Sequence, residues 1–290
     1  MRPFFYLCGN MSLYITSLNS GSNGNCYYIA NDGEAVLVDA GISCRETERR
    51  MLRLGLSMDK VKAIFISHEH SDHIRGLEVM SRKYKLPVYI TERTLKNSRL
   101  VLDPALVRPF SGHEPVTIGE LSVTPFSKRH DASDPYSFVV SGNAVNIGVL
   151  TDIGSACENV ISYFKRCHAV FLEANYDAEM LQTGHYPYHL KRRISNDRGH
   201  LSNDQALELF KKHKASFLDL ILLSHLSKEN NDPLLVQELF SKHAGATKVV
   251  VASRYEETAV YHVTADPAQQ ALAARRENLL KQNIQMTLFE

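Results

Sequence analysis

Residues 68–73, H-E-H-S-D-H, place three imidazoles and two carboxylates in one short stretch. Imidazole nitrogen and carboxylate oxygen both bind Zn²⁺ at about 2.0–2.2 Å, so a cation gives such a cluster a purpose that solvent does not. Alternate side chains of an extended backbone share a side. His68 and His70 therefore point together, and Asp72 and His73 are left free to reach a second position. Two metals sharing one loop is what this spacing predicts. The competing reading is a solvated polar loop in which Asp72 caps the helix that follows.

The elements around the hexapeptide must hold it. Residues 61–66, V-K-A-I-F-I, form an apolar β-branched run that reads as a buried strand, and residues 74–84 have helical spacing. The hexapeptide thus occupies a turn from strand to helix. Upstream, residues 13–18, 26–30 and 35–38 are short β-type runs. Residues 19–25, N-S-G-S-N-G-N, suit either a concave set of N–H groups for an anion or a tight hairpin turn. Asp39 ends the third run, where it can orient a metal ligand or cap the helix expected at 46–54. A further strand is expected at 87–90.

Downstream, a strand at 121–126 leads into S-K-R-H-D, which carries His130. Strands at 136–140 and 145–150 form a hairpin through Ser141, Gly142 and Asn143. The second of them ends at Asp152, and a carboxylate at the mouth of a buried strand is costly unless paired or metal-bound. A helix at 159–165 and a strand at 169–172 lead to Glu173. Residues 183–199 read as a polar, Pro-containing loop holding Lys191, Arg192, Arg193 and Arg198. Ser202 and Gln205 have capping-box spacing, which puts His200 just ahead of a helix at 203–213 whose free N–H groups suit a phosphate. His200 can equally be a helix-flanking residue bonded to backbone. His225 follows a strand at 217–223, and a helix at 232–243 and a strand at 248–252 complete the pattern.

Composition sets outer bounds. With 290 residues, 44% of them hydrophobic, the chain can bury a large core, and no Pro- or Gly-rich linker divides it. A net charge of +1 means that affinity for nucleic acid must come from a local patch. Five cysteines without a C-x-x-C pair argue for reduced thiols and a cytoplasmic protein. No apolar run approaches the roughly 20 residues that span a bilayer. Regular patterning begins only at Met11, an alternative start, so residues 1–10 read as an extension without function.

The hexapeptide resembles the H-x-H-x-D-H signature of the metallo-β-lactamase superfamily, an α/β fold of four αββα layers. That resemblance implies one metal on His68, His70 and His130, a second on Asp72, His73 and His225, and Asp152 bridging them. Zn²⁺ is the first expectation for the two divalent ions, with Mn²⁺ or Fe²⁺ as alternatives. Asp152 stands where the β-lactamases proper carry Cys, which points away from antibiotic hydrolysis. The stretch G-H-L-S-N-D-Q, followed by L-L-S-H-L-S, looks like the loop and following His motif of tRNase Z-type nucleases. It implies that His200 protonates the leaving oxygen and that Glu173 orients it, alongside Asp72 in the catalytic set. The segments L-N-S-G-S-N-G-N-C, H-E-H-S-D-H-I-R-G-L, L-E-A-N-Y-D and L-S-H-L-S-K-E-N-N are most similar to the small YycJ/WalJ nucleases. That family is associated with 5′→3′ exonuclease activity on double-stranded DNA and a role in DNA repair or metabolism. A glyoxalase-II-like thioesterase is the rival.

Phosphate contacts are expected from Lys191, Arg192, Arg193, Ser202 and Asn203, with Lys128 and Arg129 beside His130. The hydrolase domain is expected to span 11–264, and 265–290 to form a polar helical or disordered tail. Its end, Q-M-T-L-F-E, looks like the peptide by which bacterial repair proteins bind the β sliding clamp. In it Leu288 and Phe289 would fill an apolar pocket and Gln285 would set the register.

Overall fold

The computed structural model describes residues 12–265. The 285–289 peptide, residues 1–11 and Cys8 lie outside that range. Two seven-stranded sheets face one another. The first contains β1 (Ser12–Asn19), β2 (Cys26–Ala30), β3 (Ala35–Val38), β4 (Val61–Phe65), β5 (Val88–Tyr89) and β6 (Val107–Arg108), and β14 (Tyr261–Thr264) is added beside β1. The second contains β7 (Val116–Ile118), β8 (Leu121–Ser127), β9 (Tyr136–Gly142), β10 (Val145–Leu150), β11 (Ala169–Glu173), β12 (Leu220–Ser224) and β13 (Lys248–Val251). From β14 to β6, and again from β7 to β13, three antiparallel pairings are followed by three parallel ones. The two halves therefore share one topology.

Three apolar clusters separate four layers. Alternation along the antiparallel strands explains them: Tyr27 and Ile29 of β2 face the opposite sheet, whereas Cys26, Tyr28 and Ala30 face the outside helices. Between the sheets, Leu13, Val38 and Phe65 meet Val140, Ile147 and Phe171. Outside the first sheet pack α1 (Cys44–Arg53) and α3 (Leu77–Tyr84), through Met51, Leu77 and Met80. Outside the second pack α5 (Glu158–Phe164), α8 (Asn203–His213) and α9 (Pro233–Ser241), through Phe164, Phe210 and Phe240. No helix among the described residues is long and apolar enough to cross a membrane.

Four local expectations are corrected. The helix expected at 74–84 is two pieces, α2 (Ser71–Ile74) and α3, broken at Gly76. There the chain passes so close to the end of β3 that Gly76 N–H donates to Ala40 O at 2.8 Å, and a Cβ would lie 2.0 Å from Ile42 O. The polar stretch at 183–199 is largely helical: α7 (Tyr188–Ser195) starts after Pro187, following α6 (Ala178–Thr183). The β9–β10 turn falls at Asn143 and Ala144, both with positive φ as a two-residue hairpin turn demands. The strand expected from residue 217 begins only at Leu220, after Phe217, which is half exposed. The sequence also left α4 (Glu92–Ser98), β6, β7 and β14 unread, because these elements are short and mostly lack a periodic apolar face.

Candidate metal centre

All the expected donors converge where strands of both sheets end on one edge. His68, His70, Asp72 and His73 follow β4, His130 follows β8, Asp152 follows β10, Glu173 ends β11 and His225 follows β12. Three of the turns carry a strained backbone: Asp39 (φ 61°), Asp152 (φ 54°) and His225 (φ 57°) have positive φ without being glycine. The hexapeptide itself is clamped from below. Asn25 N–H donates to Asp72 O at 2.7 Å and Ala40 N–H donates to His73 O at 2.8 Å. Gly41 fits only because it lacks a side chain, since a Cβ there would lie 1.7 Å from Asp72 O. The 19–25 turn thus braces the histidine loop: Gly21 N–H goes to Asn25 Oδ1 and Gly24 N–H to Gly21 O.

Within the cluster, the candidate ligand atoms crowd together. His68 Nε2 is 3.0 Å from His70 Nδ1, and His130 Nε2 is 3.4 Å from it. His73 Nε2 is 3.5 Å from Asp72 Oδ2 and 3.2 Å from Asp152 Oδ2. His225 Nε2 lies 3.3 Å from Asp72 Oδ2 and 3.7 Å from Asp152 Oδ1. The opposite ring nitrogens are held from outside. His73 Nδ1–H donates to Asp39 Oδ2 at 2.7 Å, His130 Nδ1–H to Gly199 O at 3.0 Å, and His225 Nδ1–H to Glu173 Oε1 at 3.0 Å. Ser67 Oγ lies 2.9 Å from His68 Nδ1 and donates to Asp39 Oδ2 at 2.8 Å. Holding Nδ1–H outward turns the Nε2 lone pair inward, the arrangement a metal-ligating imidazole needs.

The residues fit divalent cations. The sets His68, His70, His130 and Asp72, His73, His225 each bring their donor atoms within 4.8 Å of one another, as does His68, His73, Asp152. At the junction of the sets, Asp152 Oδ2 is buried and has no hydrogen-bond partner among the described residues, although His73 Nε2 lies 3.2 Å away. A buried carboxylate oxygen left open at this cost is explained by a cation. His68, His70, His130 and Asp72, His73, His225 would hold the two ions, with Asp152 available to both.

Charges in the site are strongly perturbed. Burial, helped by His73, Lys128 and His130, pushes His68 well below its ordinary range, and burial lowers His130 to about 3 although Asp152 pulls the other way. At His225 burial is outweighed by Asp152, Asp72 and Glu173, which raise it to about 10. His73 is raised in the same way by Asp152, Asp39 and Asp72. Burial works to raise Glu173, yet His200 and His225 outweigh it and bring the carboxyl down to about 2. In the absence of a metal, the carboxylates therefore keep protons on His73 and His225. Metal loading must release these protons.

His200 stands apart from the outward-held imidazoles. Its Nδ1–H donates to Glu173 Oε1 at 2.7 Å, and its ring partly faces a cavity of about 210 Å³ that opens onto the centre. Asp131, Tyr186, Arg193 and His225 line the same cavity. Of the residues expected to contact phosphate, only Arg193 lies there, and it pairs with Asp131 Oδ2 at 2.5 Å. Lys191 Nζ donates to Gln182 O at 2.6 Å and Arg192 packs over the Tyr188 ring, both on the exposed side of α7. Ser202 and Asn203 are turned into the fold. The Ser202 hydroxyl accepts from Gln205 N–H in the expected capping box, and the Asn203 amide pairs with Asn231. Lys128 is 7% exposed and donates to Thr151 O at 2.6 Å, so it ties down the turn that carries Asp152 and does not meet solvent. Arg129 pairs loosely with Asp197 at 3.5 Å. Sequence reasoning missed Ser67 and Asn25, whose role shows only when strands distant in sequence meet.

Residues 34–225 match the model of the beta-lactamase superfamily domain. The chain is 36% identical to the exodeoxyribonuclease YycJ of Bacillus anthracis, over 76% of this chain and 85% of the relative. It is 34% identical to the exodeoxyribonuclease WalJ of Streptococcus pneumoniae serotype 2 (strain D39), over 74% of this chain and 81% of the relative. Among solved structures, the metallo-beta-lactamase fold protein YhfI from Bacillus subtilis superposes with a TM-score of 0.69 at 16% identity, covering 87% of this chain and 99% of that one. By its matched domain and by these relatives, the chain belongs to the beta-lactamase superfamily.

Proposed function

We propose that the protein is a dinuclear-metal phosphodiesterase that degrades DNA from the 5′ end; the names of its curated relatives, exodeoxyribonucleases, support the action on DNA. The observation that carries the reading is the pair of buried Glu173 and part-exposed His200 at the mouth of the centre, a proton donor outside both metal-ligand triplets. Two bound divalent ions supply Lewis-acid polarisation of a phosphodiester and a lowered pKa for water. Glu173 fixes the His200 ring through Nδ1, so that Nε2 delivers a proton to the departing oxygen. Glu173 also holds His225 and so couples the acid to the ligand set. Asp72, next to His73 and His225, serves both as a ligand and in the catalytic set. Zn²⁺ is the first choice of ion, with Mn²⁺ or Fe²⁺ as alternatives for the same N/O donors.

Metal-reconstituted protein incubated with end-labelled duplex DNA, single strands and RNA tests this reading. Progressive release from 5′ ends of duplex DNA is expected. Absence of DNA hydrolysis, with turnover of S-lactoylglutathione in its place, overturns it. A place in cytoplasmic DNA repair, and recruitment to a sliding clamp through Gln285, Leu288 and Phe289, belong to the same proposal. Deleting residues 285–290 is expected to abolish binding to purified clamp and to leave cleavage of free DNA unchanged.

A further inference from the structure

A second cavity, of about 320 Å³, lies beside the metal centre and serves neither the fold nor the chemistry described above. It is formed where β12 and β13 end and α9 begins. Ser227 lines both cavities, and His225 is two residues away. Its wall is apolar, made by Leu226, Pro233 and Val251, while Lys228, Arg254 and Tyr255 stand around it. Arg254 reaches toward the metal side: its Nη2 is 3.5 Å from Ser22 Oγ, and Ser22 lines the first cavity. Arg254 Nη1 is buried with no acceptor among the described residues. Among the described residues Lys228 pairs with Glu229, at 3.4 Å, and Tyr255 is 71% exposed.

A bare phosphate has no use for the apolar wall, and an apolar peptide has no use for the two cations. A nucleotide uses both, because each carries an anionic phosphate and a flat base with a π-face. The volume is near the lower end of the roughly 300–1,000 Å³ range of small-ligand sites. We propose that this cavity holds the nucleotide next to the scissile phosphodiester, with Arg254 and Lys228 on its phosphate oxygens and Tyr255 stacked on its base. The assignment rests on the phosphodiesterase reading above and adds to it a site that grips the strand outside the reacting atoms. Such a site contributes to binding of a polynucleotide and is never reached by a small diester.

The test compares steady-state kinetics on labelled DNA with those on bis(4-nitrophenyl) phosphate, using metal-loaded full-length protein. Arg254→Ala and Lys228→Glu are each expected to raise KM for DNA about tenfold and to lower the slope of log KM against log salt by about one. Tyr255→Ala is expected to raise KM for DNA about tenfold with no change in that slope. All three retain wild-type kcat/KM on the small diester. Lys228 is a surface residue, so its variant reports on binding even if Arg254→Ala disturbs the neighbouring turn. Wild-type KM for DNA in the Lys228 and Tyr255 variants overturns the site while leaving the nuclease reading intact. An equal loss on both substrates in the Lys228 variant overturns it as well. Wild-type protein that cleaves the small diester but no DNA overturns the nuclease reading, and this proposal with it.

Discussion

Asp39 and Asp152 occupy equivalent places in the two halves of the molecule. Each follows the last antiparallel strand of its sheet, beside the first parallel one, and each has positive φ and a buried side chain. Their surroundings differ. Asp39 accepts from Ser67 N–H at 2.8 Å, Ser67 Oγ–H at 2.8 Å and His73 Nδ1–H at 2.7 Å. Asp152 faces the Nε2 atoms of His73, His130 and His225 and leaves Oδ2 without a hydrogen bond. The same backbone device thus serves two purposes. An acid whose lone pairs are filled by protein donors orients a ligand, and an acid whose lone pairs stay open awaits a cation.

The largest expected effect separates these two acids. Asp152→Asn keeps the shape and removes the charge; metal-dependent cleavage should fall by at least about 10³-fold, the scale of removing electrostatic stabilisation from a water-poor site. Metal content measured by mass spectrometry should drop below two ions per chain while circular dichroism stays native. Undiminished cleavage would reject Asp152 as the shared ligand. Asp39→Asn should instead lower metal affinity by about 10–100-fold, the usual result of losing an outer carboxylate behind a histidine ligand. If both variants lose activity equally at saturating metal, the difference between the two acids is one of geometry and not of role.

Next in size is the effect at His200. Because its Nδ1 is held by Glu173 and its ring partly faces the cavity, His200→Ala should lower kcat by about 10²–10⁴-fold with metal content unchanged. Glu173→Gln should act in the same direction but less strongly, since the amide oxygen can still accept from Nδ1–H. Loss of metal in the His200 variant would place it among the ligands, together with Asp152, Glu173 and His225, whose donor atoms lie within the same 4.8 Å.

Much of the site was legible because it depends on residue type at strand ends. His68, His70, Asp72, His73, His130, Asp152 and His225 each end or follow an apolar run that the sequence marks plainly. What each acid does was not legible. V-D-A-G around Asp39 and L-T-D-I-G around Asp152 read alike, and only the packing of β4 against β3 brings Ser67 and His73 onto the first. Basic residues misled for the same reason. Lys128 and Arg129 are neighbours in sequence, yet strand alternation turns one into the interior, where burial lowers its pKa, and leaves the other in solvent. The helix α7 was missed because it is short and none of its residues is fully buried, so Leu190 and Ile194 make only a two-residue apolar face among its polar neighbours. At Gly76 the helical spacing was real, but a contact between distant segments overrode it.

The smallest effect concerns the stability of metal-free protein, and it sharpens the comparison of the two acids. His225 is raised to about 10, so the stability it contributes is fully present below its unfolded value near 6.5 and is lost as pH rises through about 10. His130 is lowered to about 3 and Glu173 to about 2. Their contributions are present above their unfolded values and are lost as pH falls through those lowered ones. Urea midpoints measured in EDTA should therefore peak near pH 6.5 and decline on both sides. Burial opposes the charge on His225 and Asp152 is the strongest attraction sustaining it, followed by Asp72 and Glu173, whereas Asp39 is not among its largest influences. Asp152→Asn should accordingly flatten the alkaline decline, because the native state no longer holds the extra proton on His225. Asp39→Asn should lower the whole curve, since Ser67 and His73 lose a matched partner, and should lessen the share of the alkaline decline that His73 carries while leaving the His225 proton in place. An alkaline limb unchanged by Asp152→Asn, or flattened equally by Asp39→Asn, would show that the two acids do not divide the work as their hydrogen bonds indicate.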